Sequence, residues 1–157
     1  MSPLAGDWRA GAASLRAMRP RRILFLCVAN SARSQMAEGI ARSLAPAEVV
    51  VSSAGSFPAP IRPQAVQVLK EIGIDISGHR PKGLGDIDAG AVEAVVTLCD
   101  EEVCPVFLGK AHRFHWGLPD PAAVTGTEDA RLNAFRSVRD ELLIRLKVLF
   151  GHGRKPP

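Results

Sequence analysis

The sequence predicts an α/β fold of three layers, with a central four-stranded parallel sheet flanked by helices. Three observations lead there. Residues 23–29 form a short continuous apolar run, the pattern of a strand buried on both faces of a parallel sheet. The apolar spacing then changes to steps of three and four, which marks a helix. The same alternation recurs along the 157-residue chain, a length that suits one domain.

Residues 1–20 carry Asp7, Arg9 and Arg16 among small residues, with no apolar stretch followed by a cleavage site. They are expected to be a flexible extension outside a single catalytic domain at 21–151. Residues 22–27 form the first strand. Met36, Ile40 and Leu44, with Ala37 and Ala41 beside them, share one face of a helix that Pro46 stops. Residues 49–53 read as a second strand and 54–60 as a Gly/Pro loop. Pro63 suits the first turn of the next helix, Val66, Leu69 and Ile72 line it, and Gly73 ends it. Residues 92–98 form a third, β-branched strand and 113–116 a fourth. Thr125, three residues before Glu128, is the expected cap of a last helix at 128–150, whose stripe is Leu132, Phe135, Val138, Leu142, Leu146 and Leu149. Residues 152–157 are a flexible tail.

Composition narrows the function. The apolar share of 46% and charged share of 23% are ordinary for a globular protein. No apolar run approaches the roughly 20 residues that cross a bilayer, so no membrane is expected. The net charge of +4 is spread thinly or gathered at the tails (Arg19, Arg21, Arg22, Arg154, Lys155), which argues against nucleic acid. Three cysteines are too few and too odd for a disulfide framework, and fit a reducing cytoplasm where thiols serve catalysis, redox chemistry or metals.

Cys27 lies where the first strand ends and the first helix begins, so backbone N–H groups and the helix dipole converge on an anion there. A thiolate is such an anion. Arg33, six residues on, can return its planar fork to the same place and hold two oxygens. Ser34 can donate to the sulfur, and Asn30 can brace the loop. A cysteine after a buried strand is more often a small core residue. The strand-to-helix placement favours chemistry.

The run Cys27, Val28, Ala29, Asn30, Ser31, Ala32, Arg33, Ser34, Gln35, Met36, Ala37, Glu38, Gly39 resembles the oxyanion loop and first helix of the low-molecular-weight protein tyrosine phosphatases and their relatives, the thioredoxin-coupled arsenate reductases. Ser53-Ala54-Gly55, Asp75 to His79, Val96 to Cys99 and His115 to Ala122 extend the resemblance over about residues 22–150. It implies a low-molecular-weight tyrosine phosphatase-like fold, with substrate bound by Val28, Ala29, Asn30, Ser31, Ala32, Arg33 and Ser34. It also implies that Asp120 is the general acid, although Asp-Pro by itself is a common turn pair. The phosphatases usually carry an aromatic residue after this Asp-Pro. Here Ala122 and Ala123 follow and the chain has no tyrosine, which favours a small inorganic oxyanion over an aryl phosphate.

In the reductases a cysteine pair relays the disulfide, and Cys99 and Cys104 match it, although the spacing is short. A zinc site is disfavoured because His112 and His115 are not spaced as a partner pair. The resemblance thus implies an arsenate reductase: Cys27 attacks arsenate, Cys99 releases arsenite, and external thioredoxin reduces a Cys99–Cys104 bridge, with no cofactor and no metal. The same pocket with water in place of Cys99 would hydrolyse phosphotyrosine or another phosphomonoester, and a thiol sensor would use the cysteines without turnover. Asn30, Glu38 and Ser53 match positions that hold a potassium ion under the loop in some relatives. The aspartate of that set is replaced by Lys82, whose ammonium either takes the ion's place or is one more solvated surface charge.

Overall fold

The computed structural model describes residues 8–100, 105, 107 and 109–151. Helix α1 spans Trp8–Met18, strand β1 Arg22–Cys27, α2 Arg33–Leu44, β2 Val50–Gly55, α3 Pro63–Lys70, β3 Ala94–Thr97, β4 His112–His115 and α4 Glu128–Phe150. The strands form one parallel sheet in the order β2-β1-β3-β4. Strand β1 alternates as its sequence requires. Ile23 and Phe25 enter the large core under the helices, whereas Leu24 and Leu26 join a smaller core with Ala54, Val95 and Phe107 on the other face. The large core takes residues from all four helices. Leu84, Ile87, Val92 and Ala111 pack against the small core, so the 3₁₀ turn Leu84–Asp86 and nearby loops cover that face. No helix of the described residues is long and apolar enough to cross a membrane.

Two expectations are corrected. The extension expected through residue 20 is helical from Trp8 to Met18, and it buries Trp8, Ala12 and Leu15 at steps of four and three. Those three give the segment enough apolar surface to dock on α4. The folded domain therefore begins before residue 21. The cap of α4 is Thr127, not Thr125, and its hydroxyl accepts from the Ala130 N–H at 3.1 Å. A side-chain oxygen at the N-cap reaches the amide three residues on, and Thr125 stands too early to do so.

The topology fixes where the site lies. The chain leaves β1 for β2 on one side and then crosses to β3 and β4 on the other, so the carboxyl ends of β1 and β3 flank the switch point where open α/β sheets bind ligands. Leu26 pairs with Thr97, and the Leu98 N–H donates to Leu26 O at 2.8 Å. Cys27 and Cys99 thus lie on neighbouring strand ends, one residue out of step.

Candidate active site

From Cys27 the chain turns through residues 28–32 into α2, and Asn30 takes a left-handed conformation with φ 49°. The loop is pinned from outside. Val28 O accepts from the Phe57 N–H at 2.9 Å, Ala29 O from Ala59 at 3.0 Å, and Ser31 O from Arg62 at 2.9 Å. In a trans peptide the next N–H points away from the preceding carbonyl, so the amides of Ala29 and Ala32 face away from residues 57–62. Gly55 permits the close approach: a Cβ there would stand 2.4 Å from Val28 O and 2.8 Å from the Asn30 nitrogen.

Under the loop, hydrogen-bond directions are forced. The Asn30 amide nitrogen donates to Ser34 Oγ at 2.8 Å and to Ser53 Oγ at 2.9 Å. Ser34 Oγ lies 2.7 Å from Cys27 Sγ, and because it already accepts from Asn30 its own hydrogen is free for the sulfur. Asn30 Oδ1 accepts from the Lys82 N–H and from Gln35 Nε2, each at 2.8 Å. Gln35 Nε2 also donates to Arg80 O at 2.9 Å, leaving Gln35 Oε1 to accept from His79 Nδ1 at 3.1 Å.

The network ends at Glu38, a carboxylate only 1% exposed. Ser53 Oγ donates to it at 2.8 Å, and His79 Nδ1, Arg42 Nη1 and Lys82 Nζ lie 3.2, 3.3 and 3.4 Å away. Burial pushes the His79 imidazole below its ordinary value of 6.5, against the opposing pull of Glu38 and with help from Arg42 and Lys82. The Lys82 ammonium also donates to Arg80 O at 3.2 Å.

Cys27, Val28, Ala29, Ser31, Ala32, Arg33 and Asp120 line one cavity of about 250 Å³. Asp120 reaches it as the cap of the 3₁₀ turn Pro121–Ala123, with Oδ1 accepting from the Ala122 N–H at 3.0 Å. Arg33 is buried, and its Nη1 donates to Leu118 O at 3.0 Å and to Leu98 O at 3.4 Å, anchoring the fork between the strand ends. Asn30, Ser34, Glu38 and Ser53 lie in the buried network rather than on the cavity wall. Cys27 is a free thiol; Cys99, buried just past β3, is disulfide-bonded and does not line the cavity. Cys104 lies outside the described residues. Sequence reasoning gave no role to Gln35 or Arg42. The i,i+4 spacing of Glu38 and Arg42 on α2 is a signal that could have found Arg42, whereas the contact of Gln35 with Arg80 O comes from a distant segment and leaves no local pattern.

Residues 22–155 match the family described as low molecular weight phosphotyrosine protein phosphatase. The arsenate reductase of Bacillus subtilis strain 168 is 42% identical over 139 residues, which cover 87% of this chain and 100% of the relative. The crystal structure of arsenate reductase from Archaeoglobus fulgidus is similar with a TM-score of 0.71 and 27% identity, over 83% of this chain and 99% of that one. A thioredoxin-dependent arsenate reductase of Corynebacterium glutamicum is similar with a TM-score of 0.57 and 30% identity, over 88% of this chain and 70% of that one.

Proposed function

The chain belongs to the low molecular weight phosphotyrosine protein phosphatase family, and from that premise we propose that it reduces arsenate to arsenite, with cytoplasmic thioredoxin as the source of electrons. Arg33 and the loop amides bind the oxyanion. The Cys27 thiolate bonds to arsenic(V), and an arsenic oxygen leaves as water after taking a proton from Asp120. With its own disulfide first reduced by the external dithiol, the Cys99 thiolate then bonds to the Cys27 sulfur. The electron pair of the broken S–As bond stays with arsenic, which departs as arsenite, and a Cys27–Cys99 disulfide remains. Cys104 attacks Cys99 and frees the Cys27 thiolate. An external dithiol reduces the resulting Cys99–Cys104 bridge by ordinary exchange.

One observation carries this reading: Cys27, Arg33 and Asp120 share a cavity, and Cys99 follows the adjoining strand at the same sheet edge. A coupled assay with arsenate, thioredoxin, thioredoxin reductase and NADPH tests it. Sustained NADPH oxidation is expected from the wild type. Cys104→Ser should stop after one turnover while still hydrolysing an activated aryl phosphate, since only the first step is shared. Continuous arsenate turnover by Cys104→Ser would overturn the relay, and aryl phosphate hydrolysis without any arsenate turnover would make the protein a phosphatase.

A further inference from the structure

Arg145 on α4 is 1% exposed and does not line the cavity just described. A guanidinium is costly to bury, and a long apolar side chain such as methionine would fill much of the same space at less cost. What the arginine adds is a set of directed contacts. Its Nε donates to Glu141 Oε1 one turn back at 3.0 Å, and its Nη1 donates to Trp116 O at 3.0 Å. Its guanidinium also stands 5.2 Å over the Trp8 ring of α1, and that ring meets Trp116 edge-on at 6.3 Å between centroids.

Trp116 opens the stretch that ends at Asp120. Two buried arginines grip this stretch at alternate carbonyls, Arg145 at Trp116 and Arg33 at Leu118. On the other side the Trp116 and Leu118 N–H groups donate to Thr97 O at 2.8 Å and Leu98 O at 3.1 Å. The backbone is thereby fixed two residues before Asp120 enters the cavity. We propose that Arg145, seated on Trp8 of α1, is a positioning residue that sets where the Asp120 carboxyl meets the leaving oxygen. This rests on the acid role given to Asp120 above, and it makes the N-terminal helix part of the catalytic apparatus.

A double-mutant cycle tests it. Arg145→Met keeps the bulk and removes the donors. It should slow the first step with arsenate, and with aryl phosphates of poor leaving groups, by roughly 10-fold to 100-fold, the scale of a small misplacement. In an Asp120→Asn background the same change should cost under about twofold, because the group being positioned is already gone. Arg145→Lys, which keeps a charge and a donor, should restore part of the rate and serves if the methionine variant folds poorly. Hydrogen exchange gives a readout free of turnover: amides of residues 117–123 should lose protection while those of α2 do not. A protein that reduces no arsenate yet shows this loss would refute the proposed substrate and leave the positioning intact. Equal rate losses in both backgrounds, or unchanged protection at 117–123, would make Arg145 a structural strut only.

Discussion

Lys82 and His79 approach Glu38 on a segment far from it in sequence, and each has a measurable consequence. With the Lys82 ammonium 3.4 Å from the carboxylate and its own amide on Asn30, the space beneath the loop already holds a cation. Rates and melting temperature should then be equal in potassium and sodium salts at matched ionic strength, and Lys82→Asp should make both depend on potassium. Potassium activation of the wild type would refute this. His79 behaves in the opposite sense to a histidine that gains a strong ion pair, since burial outweighs Glu38 and lowers its proton affinity in the folded state. The unfolded chain binds this proton near pH 6.5, so stability present above that value is lost as pH falls through 6.5 toward the folded value. The melting temperature should decline between pH 7 and 5.5, and His79→Gln should flatten that decline; an unchanged slope would remove His79 as its cause. Cys27, Arg33 and Asp120 were legible in the sequence because each belongs to a short local motif. The full set of groups around Glu38 was not, because its members come from α2, β2 and the 79–82 segment and meet only after folding.

Among the elements, α1 was the one misread. Trp8, Ala12 and Leu15 hold a helical spacing, yet two of its eleven residues are large and buried, Gly11 interrupts it, and the small residues between resemble a tail. The strands and the other helices were legible because each apolar stripe was longer or denser. The same weakness invites a change that should strengthen the element. The Trp116 indole N–H is buried without an acceptor among the described residues, and a Cβ on Gly11 would lie 3.6 Å from that nitrogen and 3.4 Å from Phe114. Gly11→Ala should stabilise by roughly 0.5–1 kcal/mol through helix propensity. Gly11→Ser has the poorer propensity but brings a hydroxyl within reach of the indole, a bond worth about 1 kcal/mol. Urea unfolding that ranks serine above alanine would show that the orphan donor has found a partner; the reverse order would show that it has not.

At the scale of the whole molecule, the sheet joins the cavity to the rest of the fold. Cys27 ends β1, one of the two inner strands of the sheet, and Arg33 ties the ends of β3 and β4 together through Leu98 O and Leu118 O. Filling the cavity should therefore stabilise the entire domain. Inorganic phosphate at 100 times its dissociation constant should add about 2.7 kcal/mol to unfolding, read as a rise in melting temperature that chloride at equal ionic strength does not give. No rise would mean that the loop does not bind the tetrahedral ion.

The pinned loop has a consequence for selectivity. Val28 O, Ala29 O and Ser31 O are each fixed by the 57–62 segment, and Asn30 is saturated from below, so the cage is assembled before any ion enters. A cage that cannot shrink or swell has little means of telling arsenate from phosphate, two tetrahedral anions of equal charge and similar size. Discrimination falls instead to electronics after capture. Arsenic(V) can accept an electron pair when a second sulfur attacks the first, whereas phosphorus(V) bound to the same sulfur can only return to the loop or pass to water. Cellular phosphate should then act as a reversible occupant that slows the enzyme without consuming its reductant.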